Sequence, residues 1–215
     1  MKYYLRFVSI ASGFIALVLW APLQAQRPES DGQRGRAEQG AYEYRLLATT
    51  RTSSMEREMN EASEKGYRFQ EVMGGDTALG GSEVVSVMMR GPTSDADGAD
   101  AARGRFSYRL LATNRTSTMQ AEMQELGQVG YDYRGVTVFE SFFGGEEVVV
   151  IMERDNKALP ESYDYVLLAT SRTSTLQSEL TDVGHRGFAL VGMVVGDTRF
   201  GGDEVIAITR RTLPR

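Results

Sequence analysis

The strongest constraint on this chain is that it repeats itself. Residues 42–90, 106–154 and 163–211 align without a gap, and 15 of the 49 aligned positions are identical in all three copies. They include Leu46-Leu47-Ala48-Thr49, Arg51-Thr52-Ser53, Glu58, Gly66, Gly80-Gly81 and Glu83-Val84 with their counterparts. A repeat of this length is one supersecondary unit used three times, and units that small lean on their neighbours for part of their core. With no cysteine in the chain, no disulfide can staple a unit shut.

Each copy predicts the same order of elements, β-α-β-β. Tyr42, Tyr44, Leu46 and Ala48 alternate with polar residues, the period of a strand with one apolar face. Ser53-Ser54-Met55-Glu56, Ser117-Thr118-Met119-Gln120 and Ser174-Thr175-Leu176-Gln177 then read as capping boxes that start a helix. Met55, Met59 and Ala62 follow at i, i+4 and i+7, as do Met119, Met123, Leu126 and Leu176, Leu180, Val183. Gly66, Gly130 and Gly187 end the helices in the left-handed conformation that only glycine adopts without strain. The second strand slips by one residue at Gln70-Glu71, Arg134-Gly135 and Val191-Gly192, which predicts a β-bulge in each copy. Gly80-Gly81, Gly144-Gly145 and Gly201-Gly202 turn the chain into the third strand and make a hairpin. In the second copy that strand, Val148 to Met152, is apolar on both faces, and Leu47, Leu111 and Leu168 lie opposite the tyrosines. The expected fold class is therefore α+β: three tandem β-α-β-β units, each a small three-stranded sheet with one helix on one face. The second sheet face packs between copies.

This pattern of Tyr-x-Tyr, capped helix, Gly-aromatic and a Gly-rich hairpin ending in arginine resembles the bacterial domain-of-unknown-function family 4177. The resemblance covers all three copies, although Tyr67, Tyr131 and Phe188 stand where that family usually has tryptophan. It implies a small α+β unit and transfers no catalytic residue.

The flanking segments point to export. Lys2 and Arg6 precede an apolar run from Phe7 to Trp20, and Pro22 and Ala25 suggest cleavage before Gln26, so residues 1–25 read as a signal peptide. That run is shorter than the roughly 20 residues a spanning helix needs. Residues 26–41 are polar and read as a disordered tether, 91–105 and 155–162 as linkers, and 212–215 as a tail. The expected location is the periplasm or the exterior of a bacterium, with no membrane insertion after cleavage. The formal net charge is −5, and without Lys2 and Arg6 the rest of the chain carries −7. An acidic body of this kind argues against nucleic acid as a partner, since phosphate binding needs clustered cations.

Few residues suggest chemistry. Arg51-Thr52-Ser53, Arg115-Thr116-Ser117 and Arg172-Thr173-Ser174 sit at helix N-termini, where free N–H groups and a cation favour a small anion. Capping alone accounts for the serines and threonines, which leaves arginine as the surplus residue. Glu83, Glu147 and Glu204 recur at the start of the third strand, where pairing with the recurring arginine is the plain account. Glu58, Glu122 and Glu179 are the only other recurring acids and lie in the helix. Asp76-Thr77, Glu140-Ser141 and Asp197-Thr198 fall in the expected hairpin loops, without the ligand spacing of a calcium loop. His185 is the only histidine, so a zinc site or a Ser-His triad has too few residues to build it. No cofactor and no catalytic residue is expected. The leading expectation is a non-enzymatic protein-interaction or binding module. A small-anion or small-ligand binder using the three arginines comes second, and a hydrolase is the weakest reading.

Overall fold

A computed structural model of the chain describes residues 41–77, 81–92, 101–140, 145–159, 161–197 and 203–214. The expected leader, almost all of the tether, part of the first linker, the turn residues Gly80, Gly144, Gly201 and Gly202, and Ser141 and Thr198 lie outside the described residues. Three units follow one another. The first is β1 (Glu43–Thr49), α1 (Thr52–Ser63), β2 (Arg68–Thr77) and β3 (Gly81–Arg90). The second is β4 (Phe106–Thr113), α2 (Thr116–Gln128), β5 (Asp132–Glu140) and β6 (Glu146–Asp155). The third is β7 (Tyr163–Thr170), α3 (Thr173–His185), β8 (Ala189–Asp197) and β9 (Asp203–Thr212). In each unit the last strand is central and antiparallel to both neighbours, giving the orders β1-β3-β2, β4-β6-β5 and β7-β9-β8.

Local sequence explains most of each unit. The register shifts where the alternation slips, between Phe69 and Glu71, Tyr133 and Gly135, and Leu190 and Gly192. Gly66, Gly130 and Gly187 have φ of 85°, 90° and 85°. Around each one, two crossed bonds close the helix end. Tyr67 N–H donates to Ala62 O at 3.1 Å and Gly66 N–H to Ser63 O at 2.9 Å, and both other helices repeat the pair. The recurring arginine at the end of the third strand lies over the aromatic that follows this glycine. Arg90 stands 4.9 Å from Tyr67, Arg154 4.9 Å from Tyr131 and Arg211 4.5 Å from Phe188. Asp76, Thr77, Glu140 and Asp197, expected in loops, instead close the paired strands, opposite Ser82, Gly81, Glu146 and Asp203. The strand ladder simply runs further into the turn than residue type suggests.

The capping boxes do not form. The N-cap residues are Arg51, Arg115 and Arg172, and none carries a side-chain cap. Their own N–H groups are instead held by Thr49, Thr113 and Thr170 Oγ1 at 3.1, 3.1 and 3.2 Å. Glu56 and Gln120, expected to complete the first two boxes, are used at the junctions between units, and Gln177 of the third donates to Thr181 of its own helix.

Those junctions organise the whole molecule. Met55, Met59 and Ala62 of α1 are buried on Val84 and Met88 of their own sheet, and Phe106, Tyr108, Val149 and Ile151 of the second unit enter the same core. The next core repeats this with Met119, Met123, Val150 and Met152 against Tyr165, Leu167, Ile206 and Ile208. One sheet face thus carries the unit's helix while the opposite face packs on the preceding unit. The first strand of a unit is also an edge, with outward backbone groups in need of partners. Helix α1 supplies them from one face. Glu56 accepts from Leu110 N–H at 2.9 Å, Asn60 both accepts from Tyr108 N–H and donates to Tyr108 O at 3.0 Å, and Ser63 donates to Phe106 O at 2.6 Å. At the second junction Gln120 accepts from Leu167 N–H at 2.9 Å, and a Cβ on Gly127 would stand 2.6 Å from Tyr163 O.

Tyrosines line these junctions. Burial, then the Glu153 charge, pushes the Tyr108 hydroxyl far above its ordinary pKa, and burial with Asp132 does the same for Tyr165. Burial also pushes Tyr133 and Tyr163 up to about 12. The unfolded chain ionises its tyrosines near pH 10, so the native state holds protons that the unfolded state has released. This stabilisation is complete below about pH 10 and is lost as pH rises through about 12, the raised value of Tyr133 and Tyr163. Thermal midpoints should fall steeply across that window, with tyrosinate absorbance rising in the same step as unfolding. Stepwise ionisation within a still-folded protein would show that the junction tyrosines are open to water.

Candidate functional site

Three places could carry function: the helix N-termini, a groove beside the second unit, and the two ends of the tandem array.

Arg51, Arg115 and Arg172 are exposed, extended in backbone at φ of −134°, −120° and −120°, and each belongs to a different unit. None forms an ion pair among the described residues. Thr116 joins Arg115 beside an apolar crevice of about 10 Å³ that neither Arg51 nor Arg172 lines. Thr52 and Ser53 border a shallow depression with Glu56 and Glu122, which places acids beside an expected anion site. Ser117, Thr173 and Ser174 are in the first helical turns and largely exposed. Glu83 and Glu147 form no ion pair with the recurring arginines among the described residues, so the expected pairing is not made there. Glu204 is half-buried, opposite Gly196 in the ladder. Among the described residues the structure therefore gathers these side chains into no common cavity.

The groove is larger, about 430 Å³, and lined by charges of both signs, among them Arg68, Asp132, Arg134, Glu153 and Asp155. At its centre Glu153 is 5% exposed. It accepts from Arg68 at 2.7 Å and from Tyr108 OH at 2.9 Å, with Arg134 at 3.6 Å. Asp132 pairs with Arg210, and Asp155 accepts from Arg105 at 2.7 Å, which holds its carboxyl below the usual range. Every carboxylate just named is held by an arginine, so none is poised as a base. Among the described residues, no group of three or more His, Cys, Asp or Glu could hold a metal ion.

These pairs sit on the unit junctions, and their signs alternate. Aligned positions 68, 132 and 189 carry Arg, Asp and Ala, while positions 89, 153 and 210 carry Met, Glu and Arg. The first junction is thus Arg68 to Glu153 and the second Asp132 to Arg210. The ends keep the uncharged Met89 and Ala189.

The ends are where apolar surface remains. Tyr108 and Tyr165 are 1% and 0% exposed, whereas their counterpart Tyr44, in the first of the described units, is 66% exposed. Tyr44 and Leu46 share their sheet face with Val85, Val87 and Met89 of the central strand and with Met73. At the other end Leu190, Met193 and Val195 of β8 lie open beside α3, where Phe69 and Val72 of the first unit are covered by the second. Nine large hydrophobic side chains are exposed among the described residues, and seven lie on these two end faces. Sequence reading found the alternating tyrosine strand but not the exposure of one copy of it. The signal was present in the order of the copies, since the first has no aligned copy before it in the sequence.

Comparison with family models, with curated proteins and with solved structures gave no match. The geometry defines a class all the same: a tandem α+β repeat protein of three stacked units. Among the described residues no helix is long and apolar enough to cross a membrane.

Proposed function

We propose that this chain is an exported, non-enzymatic interaction protein of bacterial origin, and that its contact surface is the outward sheet face of its first unit. The observation that carries this reading is the concentration of exposed apolar side chains at the ends of the array, led by Tyr42, Tyr44 and Leu46. Exposed apolar patches of this kind mark contact sites more often than isolated hydrophobic residues do. Three recurring arginines in three separate units give a small anion no shared cavity, which ranks the ligand reading second. The family resemblance agrees with a small α+β unit and adds no activity.

A photo-crosslinking residue placed at position 44 tests the reading against the same residue at position 57, since Arg57 is exposed on the helix and lies off the end face. Crosslinks to protein at 44 and not at 57 support it. Equal crosslinking at both positions overturns it. So does a thermal midpoint raised by phosphate and no longer raised in the Arg51, Arg115 and Arg172→Ala triple variant, because only native-state binding shifts the midpoint.

A further inference from the structure

We infer that copies of this chain associate head to tail, with α3 and β8 of one copy covering the outward sheet face and β1 edge of the next. This rests on the end face being an interaction surface and names its occupant as a second copy. The interface is one the chain already builds twice within itself, between α1 and β4 and between α2 and β7.

Position by position, the two open ends carry what a third such junction needs. On α2, Gln120 accepts from Leu167 N–H and Gly127 lets Tyr163 O approach. Their counterparts on α3 are Gln177 and Gly184, and those of Leu167 and Tyr163 are Leu46 on β1 and Tyr42 just before it. Gly184 lies inside a helix, yet a Cβ there would meet nothing within 4 Å. Glycine weakens a helix relative to alanine, and packing inside one copy gives no reason for it. An approaching carbonyl of a second copy does.

The strand contact matches as well. Val138 packs on Gly196, whose Cβ would stand 3.1 Å from Val138 Cγ2. The counterparts are Val195 at the tail and Gly75 at the head, both exposed. The charge position matches too, since Ala189 would face Met89 and bury no unpaired ion. Two positions depart: Thr181, the counterpart of Asn60 and Gln124, donates to Gln177 O of its own helix, and the second departure is at the bulge. Where Gly135 and Gly192 receive Phe69 and Tyr133, the head carries Glu71 and the tail brings the shorter Leu190. The contact between copies is accordingly weaker than the internal junctions. A heterologous contact of this type forms a closed ring or an open chain of copies.

Sedimentation velocity on the full chain over a wide concentration range tests this with two variants, each blocked at one end. Leu46→Arg blocks the head and Gly184→Trp blocks the tail. Both sites are open to solvent, and unchanged circular dichroism melts in dilute solution confirm that the variants fold. The wild-type mass should climb above the 23.8 kDa monomer with concentration. Each variant alone should stay monomeric, and an equal mixture should form a dimer and stop, because each partner keeps one intact face. Glu71→Gly should tighten association about tenfold. A wild type that is monomeric throughout overturns the inference, and so does either blocked variant self-associating like the wild type, or a weaker Glu71→Gly. Amide exchange then separates two kinds of failure. Fast exchange at Tyr44 and Leu46 in a monomer leaves the face open for a different protein. Slow, concentration-independent exchange means the chain covers its own face, and the proposed function fails with the inference.

Discussion

Replacing Glu153 by alanine is expected to lower the unfolding free energy by about 3 kcal/mol, near the lower end of what breaking a buried ion pair costs. The carboxylate is 5% exposed and takes three hydrogen bonds from the Arg68 guanidinium and one from Tyr108 OH. Its removal strands a buried hydroxyl and two guanidiniums. The Arg68 side chain is 43% exposed, so water recovers part of its charge and the loss stays below the fully buried limit. Replacing both partners, Arg68→Met with Glu153→Met, should restore part of the stability, because the Arg68 charge is then gone, while Tyr108 OH and Arg134 still lose their acceptor. Denaturant unfolding of the two single variants and the double gives the coupling directly, and about 2 kcal/mol is expected. A loss under about 1 kcal/mol for Glu153→Ala would place the carboxylate in water and remove it from the junction. The pair also fixes order. Were the third unit to dock on the first, Arg210 would stand where Glu153 stands and Arg68 would face a like charge. The alternating signs therefore make the native sequence of units the favoured one.

What the sequence shows about this fold is what local chemistry decides. The bulges at Glu71, Gly135 and Gly192 were legible because a slip in a two-residue period has one structural cause. The helix ends at Gly66, Gly130 and Gly187 were legible because a left-handed residue is demanded there. Glu56 and Gln120 were misread for the complementary reason. An acid or amide three residues into a helix serves equally well to cap its own N-terminus or to reach a strand edge outside it, and only the position of the next unit decides. The openness of the end face was obscured by recurrence. Identity across copies marks what every unit needs for itself, such as the capped glycine and the arginine on its aromatic. What distinguishes a junction from an end sits in the positions that vary, 68 with 132 and 189, and 89 with 153 and 210. Compared pairwise, those positions carry the order of the units in their signs.

Valine at position 74 is expected to cost about 3 kcal/mol or more, because the first two sheets approach there through backbone. A Cβ on Gly74 would lie 2.0 Å from Val138 O and 3.0 Å from Val138 C, and a main chain held in a ladder cannot turn aside as a side chain can. Ordinary overpacking costs about 1–3 kcal/mol with the neighbours yielding. Here β2 and β5 must separate, and Phe69 and Val72, now buried against the second unit, lose part of that cover. The thermal midpoint should drop by roughly 10 °C for a folded region of this size. Met73→Val is the matched control, one residue away on the opposite and exposed face, and should change stability by less than about 0.5 kcal/mol. Equal effects at 73 and 74 would mean that the sheets are not in contact at that strand, and would remove the stacked junction on which the end faces are defined. A large effect at 74 alone establishes the close approach, and with it the geometry that leaves the counterpart surfaces of the first and third units uncovered.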